Sequence, residues 1–191
     1  MSALQPGFAD PVLDAQASFR AVLEAMSRPG RIIAITTPAP APAPLNTAAA
    51  AVLLTLADAE TPVCSDAGDA VAGWLGFHAG CPFTPAPDRA RFVLATGAAP
   101  ALTVLDAGTE EEPQTSATLI VQVEALAAGE GWRLTGPGIE SEHRLRVYGL
   151  PEDFLSQWQA QRARFPRGVD VVLCAGDRLA ALPRSVTIEE G

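Results

Sequence analysis

Lysine is missing from this chain altogether: none of its 191 residues carries a primary side-chain amine, and all 13 basic side chains are arginines. A pyridoxal phosphate enzyme holds its cofactor as a Schiff base on a lysine, and a phosphate-loop ATPase sets a lysine against the β/γ-phosphates. Both classes are excluded. Histidine is almost as scarce, with His78 and His143 the 2 present, and no His-x-x-x-His or Glu-x-x-His spacing accompanies them. Metal binding and general-base catalysis therefore have little to work with. His78 and Cys81 stand three apart, but Gly80 and Pro82 break any helix that would aim both at one ion, and no second ligand pair stands elsewhere. The cysteines Cys64, Cys81 and Cys174 are 3 in number, dispersed and without a Cys-x-x-Cys pair, which argues against a secreted disulfide framework and for a reducing compartment. The expectation is no metal and no cofactor.

Export and membrane signals are lacking too. The amino terminus has neither a basic start nor an apolar run, and the most apolar stretch, Ala48 to Ala57, is too short to span a bilayer. A soluble, cytoplasmic protein with no membrane partner is expected. Positive charge is in deficit: 22 acidic residues against 13 arginines give −9, which repels phosphate backbones and makes nucleic acid an unsuitable partner. Only 18% of residues are charged while 48% are apolar, so part of the surface is a candidate for cover by another subunit.

What is present reads as alternating helices and strands. Asp14 is placed to cap a helix whose Phe19, Val22, Leu23 and Met26 recur at the spacing of one buried stripe, stopped by Ser27-Arg-Pro-Gly30. Arg31 to Ile35 reads as a strand, and Pro38 to Pro44 as a semi-rigid polyproline-type loop. A second helix starts near Asn46 or Thr47 and ends by Asp58 to Pro62. Val63 to Ser65 is a short strand, Asp69 to Phe77 a helix weakened by Gly73 and Gly76, and Arg91 to Ala95 a strand.

The apolar run Ala117 to Glu124 predicts a central strand buried on both faces. Gly129-Glu-Gly131 predicts a hairpin turn into Trp132 to Thr135. A helix follows Pro151 and stops at Pro166, and two last strands, Val169 to Cys174 and Leu179 to Leu182, are joined across Gly176-Asp177. This pattern predicts a single α/β layered domain over residues 1–191 with a mixed sheet.

Candidate site residues are few. Ser116 and Thr118, beside the central strand, are placed to hydrogen-bond a ligand or to satisfy local backbone. Gly136-Pro-Gly138 allows close backbone approach to a phosphate, or makes a tight turn, and lacks the spacing and following helix of a dinucleotide loop. Arg28, Arg31, Arg167 and Arg184 sit beside prolines or glycines, where a rigid backbone aims a guanidinium at a ligand anion, an internal carboxylate or a partner. Trp74, Trp132 and Trp158 read as core or interface fillers, and Glu110 to Glu112 as a solvated loop. No residue qualifies as a catalyst.

Six stretches, in order along the chain, resemble the PhnH family, one of the component proteins of the bacterial carbon-phosphorus lyase system. They are Phe19 to Gly30, Leu53 to Asp58 with Thr61 to Val63, Ser116 to Ile120, Leu134 to Ile139, Phe165 to Asp170, and Leu182 to Arg184. The resemblance adds Gly30 and Asp170 to the candidate ligand or interface residues. It implies a three-layer α/β/α fold akin to the large domain of pyridoxal phosphate transferases, in a family regarded as lacking that cofactor. It also implies a homodimer when isolated and, in the cell, a place beside the G, I and J subunits of that system. There an ATP-binding L subunit helps couple a phosphonate to ribose triphosphate taken from ATP, and an Fe-S radical step on the J subunit later cleaves the carbon-phosphorus bond. Three dispersed cysteines do not supply cluster spacing, so this chain is expected to support that chemistry without performing it. The rival expectation is a subunit that binds a phosphorylated nucleoside and contributes directly to ribosyl transfer.

Overall fold

A computed structural model describes residues 6–37 and 40–191 of the chain. Helix α1 spans Pro11–Ser27, four residues earlier than its sequence signal implied, because Asp10 and not Asp14 is its cap. The Asp10 carboxylate accepts from the Val12 and Leu13 amides at 3.0 Å each, Pro11 occupies the first turn, and Asp14 reaches back to the Asp10 N–H. The predicted buried stripe is also corrected. The core face of α1 is Ser18, Val22 and Ala25, while Phe19 and Leu23 point outward.

Strand β1 shrinks to Ile33–Ala34, and Pro38 and Ala39, the start of the predicted polyproline segment, lie outside the described residues. Helix α2, Thr47–Leu56, is capped by Asn46, whose Oδ1 accepts the Ala49 amide at 2.9 Å. Its four consecutive alanines, Ala48 to Ala51, are fully buried, and this smoothness lets α2 lie close to the sheet beneath it. Strand β2 is Val63–Ser65, α3 is Asp69–His78, β3 is Phe92–Ala95 and β4 is Thr118–Gln122.

The predicted hairpin at Gly129 to Gly131 is overturned. Those residues lie inside one long strand, β5, Ala125–Thr135, as a bulge between Ala128 and Trp132, and the true partner is β6, His143–Tyr148. Both glycines have positive φ, which a bulge uses as readily as a turn. At Gly131 a Cβ would stand 2.7 Å from the Arg146 Cα, so the close approach of β6 requires glycine there. Helix α4 is Phe154–Arg162, beginning beyond Pro151 and ending before Pro166. Strands β7, Asp170–Ala175, β8, Arg178–Leu182, and β9, Thr187–Glu189, complete the chain.

The main sheet is mixed, in order β1-β8-β7-β4-β3-β2. Strands β2, β3, β4 and β7 run parallel, and β8 returns antiparallel against β7 through a tight hairpin. As predicted, β4 is central: Leu119, Ile120 and Val121 are buried on both faces. Helices α1, α2 and α3 pack on one face of the sheet, over Val63, Leu94, Ile120, Val172 and Ala181. The other face, Val93, Leu119, Val121, Leu173 and Leu182, is covered by α4 together with a three-stranded antiparallel sheet, β6-β5-β9. The second outer layer is thus half strand, where the resemblance implied helix.

Tryptophans anchor both cores. Trp74 and Trp158 are almost wholly buried, Trp158 donates to the Val186 carbonyl at 3.0 Å, and Trp132 stacks on Phe154, which stacks in turn on Trp158. They are fillers, as their sequence context implied.

Candidate functional site

Five of the candidate residues converge at the amino-terminal ends of the central parallel strands. Thr118 opens β4, Asp170 opens β7, and the two are register partners. Arg184, just past β8, grips Asp170 in a fork: Nε lies 3.2 Å from Oδ1 and Nη2 2.5 Å from Oδ2. The Arg184 backbone N–H adds 2.7 Å to Oδ1, and Nη1 donates to the Pro113 carbonyl at 2.5 Å. Both side chains are only 16% exposed. The guanidinium therefore ties β7, β8 and the 113–115 turn together, and its geometry is that of a planar fork matched to a carboxylate.

Ser116 is buried at the same end with its Oγ unpartnered among the described residues, while its carbonyl accepts from Arg91 Nη1 at 3.3 Å. Arg167 reaches Glu110 at 3.8 Å near the surface, a weak exposed pairing. Sequence reasoning missed Gln161. Its buried amide accepts from the Val169 N–H at 2.9 Å and donates to the Val169 carbonyl at 3.0 Å, standing in for a neighbouring strand. Nothing in the run Gln157 to Gln161 distinguishes that glutamine from its solvated neighbours. Beside this cluster a cavity of about 480 Å³ is lined by Asp88, Leu102, Asp106, Gln157, Gln161 and Arg164, among others.

Arg28, Gly30 and Gly138 form a separate group, where the end of α1 meets the small sheet. Gly138, at φ +81°, packs so tightly that a Cβ would fall 2.1 Å from the Ser27 carbonyl oxygen. Gly30 presses on Leu134 and His143, and the His143 Nδ1 sits 2.6 Å from the Pro29 carbonyl oxygen. Gly136 instead lies over Ser185 and Val186, and Arg28 makes a solvent-exposed pair with Glu24. The Gly-Pro-Gly segment thus docks helix to sheet. Close by, Glu142 is held below the usual carboxylate range by hydrogen bonds from Arg133 and Arg144, an exposed ion network on the same sheet.

In α/β sheets ligands bind at the carboxyl ends of parallel strands, in the crevice opened where successive connections leave in opposite directions. Here β2, β3, β4, β7 and β8 follow one another in a single direction across the sheet, so no such reversal falls between them. The polar side chains at those carboxyl ends hold loops. Asp66 accepts from the Thr96 and Gly97 amides at 2.7 and 2.9 Å. Gln122 bridges the Asn46 N–H and the Pro44 carbonyl, and Asn46 Nδ2 donates to the Cys174 carbonyl at 3.1 Å. A pyridoxal cofactor does not fit this edge, since the chain offers no lysine to hold it. Burial pushes the Cys174 thiol well above its ordinary range, which keeps it protonated and unreactive. No group of three or more metal-ligating side chains occurs among the described residues, His78 and Cys81 included.

Residues 6–189 match the family model described as bacterial phosphonate metabolism protein (PhnH). The chain is 42% identical over 187 residues to alpha-D-ribose 1-methylphosphonate 5-triphosphate synthase subunit PhnH of Rhizobium meliloti (strain 1021), covering 95% of this chain and 94% of that protein. It is 32% identical over 182 residues to HtxG of Stutzerimonas stutzeri, a protein named provisionally as a C-P lyase subunit, covering 91% of this chain and 85% of that one.

Proposed function

Because this chain belongs to the PhnH family of bacterial phosphonate metabolism proteins, we propose that it is an accessory, structural subunit of a ribose 1-methylphosphonate 5-triphosphate synthase. In this reading it supports the coupling of an alkylphosphonate to ATP-derived ribose triphosphate without supplying a catalytic group. It works as one folded unit in the cytoplasm, as a homodimer when isolated and beside the G, I and J subunits in the assembled machine. Its two cores share one central sheet.

The observation that carries the reading is the internal use of Arg184 and Asp170. The Arg184 and Asp170 side chains hold each other and a neighbouring turn, so the two-pronged face of the guanidinium is already taken by a carboxylate of the same chain. Calorimetric titration of the isolated protein with ATP is the test. No heat at millimolar ATP, together with loss of synthase activity when this chain is withheld from the reconstituted complex, is the expected pair of results. Stoichiometric ATP binding by the chain alone contradicts it and favours the rival reading, direct participation in ribosyl transfer. The cavity of about 480 Å³ beside Arg164 is where that rival would place its ligand.

A further inference from the structure

The cavity of about 480 Å³ beside Arg164 is built at the amino-terminal ends of β7, β4 and β3, which lie side by side in that order. Its walls are fixed from within. The Ala107 carbonyl accepts from the Gly168 N–H at 2.9 Å, and the Asp106 carbonyl from the Ala117 N–H at 2.8 Å. Across from them, Gln157 on α4 accepts from the Leu102 N–H at 2.7 Å, and Gln161 is spent on Val169. A site held this way has little left to order when a ligand enters, and its volume is that of a small-molecule site.

Three charges in the lining are not spent. Asp88, in the turn before β3, and Arg164, in the turn between α4 and β7, have no side-chain partner among the described residues. Asp106 gives one carboxylate oxygen to the Gly108 N–H at 2.9 Å and keeps the other. All three are exposed, so a solute reaches them from solvent. Strand order sets their succession: the guanidinium is anchored beside β7, one carboxylate beside β4 and the other beside β3. The anchors of unlike charge are therefore one and two strand spacings apart, about 5 and 10 Å. Leu102 and Leu105, both buried, add an apolar wall to the same cavity.

We propose that this cavity binds a small zwitterion, an ω-amino oxyanion. Its phosphonate or carboxylate meets Arg164, its ammonium meets the pair Asp88 and Asp106, and its alkyl chain lies against Leu102 and Leu105. A guanidinium offers either oxyanion a two-pronged match. Two carboxylates against one guanidinium leave the lining at −1, on a chain of −9. That balance draws in an ammonium group and turns away a nucleoside triphosphate. The inference goes beyond the accessory-subunit reading and does not depend on it, since binding here uses no reacting group.

Isothermal titration calorimetry of the full chain with 4-aminobutylphosphonate tests it, with 5-aminopentanoate, butylphosphonate and ATP as comparison solutes. One or both of the zwitterions are expected to bind in the submillimolar range, and the tighter of the two identifies the oxyanion. Butylphosphonate, which lacks the ammonium, is expected to bind about tenfold more weakly. Arg164→Gln and Asp88→Asn remove groups that hold nothing else in the fold. Each is expected to unfold at the wild-type temperature and to weaken the zwitterion by about tenfold. No heat from either zwitterion at millimolar concentration refutes the site. Binding that survives both substitutions refutes it as well and puts the ligand elsewhere. Butylphosphonate binding as tightly as its amino counterpart refutes the role of the carboxylates. These three results leave the accessory-subunit reading standing. ATP binding that Arg164→Gln abolishes overturns both, in favour of direct participation in ribosyl transfer.

Discussion

Replacing Arg184 by alanine tests whether this arginine is an internal staple or a surface contact. The truncation removes two side-chain bonds to Asp170 and one to the Pro113 carbonyl, and leaves the carboxylate with only the Arg184 backbone N–H. Breaking a buried ion pair costs about 3–5 kcal/mol, and a hydrogen bond to a charged group about 1.5–3 kcal/mol. Both side chains are 16% exposed, so water partly re-solvates Asp170 and the lower end applies, about 3 kcal/mol. In a domain of this size each kcal/mol moves the midpoint by about 2–4 °C, so Tm should fall by ~6–12 °C. Thermal unfolding followed by circular dichroism reads the shift. Arg184→Lys should recover less than half of the loss, because an ammonium cannot reproduce the two-pronged grip. A Tm within about 1 °C of wild type, with association to other subunits abolished, would refute the reasoning and place Arg184 at an interface.

Three further outcomes follow from the same geometry. Gln161→Leu keeps the volume but strips both bonds from the Val169 backbone, and should lower stability by about 2–3 kcal/mol in urea titration; a change below about 0.5 kcal/mol contradicts the strand-mimic role. Gly138→Ala forces a Cβ onto the Ser27 carbonyl at positive φ and should cost over ~2 kcal/mol, whereas Gly176→Ala, with open space around it, should cost only the backbone strain, about 1 kcal/mol. Under native conditions at pH 8 the half-buried Cys64 should react with a thiol reagent first, and Cys174 only after unfolding. Burial raises both thiols, Cys174 far more, and prompt labelling of Cys174 would show that its side of the sheet opens.

The main sheet was legible in the sequence because β3, β4, β7 and β8 are buried on both faces over most of their length and read as apolar runs. Val63 to Ser65 was matched residue for residue, and Phe92 to Ala95 and Thr118 to Gln122 fell inside their predicted spans. Of the small sheet only Trp132 to Thr135, the end of β5, was legible. Strand β6 reads His-Arg-Leu-Arg-Val-Tyr, with half its residues polar because one face meets water, and β9 is three residues long. A glycine pair at positive φ marks a bulge and a turn alike, so Gly129 and Gly131 pointed to the wrong one. In α1 the apolar positions occupy two faces, and sequence spacing cannot say which of them meets the core.

For the candidate site, residue type located Arg184, Thr118 and Ser116 and the family resemblance located Asp170, and the fold brings all of them to one end of the sheet. Neither could foresee that Arg184 and Asp170 hold each other, since their pairing crosses two strands and a hairpin. Gln161 gave no signal at all, because a glutamine that mimics a strand looks the same in sequence as one that faces water.

The central claim is that this chain contributes contact surface to an assembly and no reacting group of its own. Native mass spectrometry of the tagged chain, purified from cells that also express the G, I and J subunits, measures that most directly. The account predicts a complex containing this chain in fixed stoichiometry with the others. Elution of the chain by itself, while the remaining subunits assemble into an active synthase without it, would contradict the account.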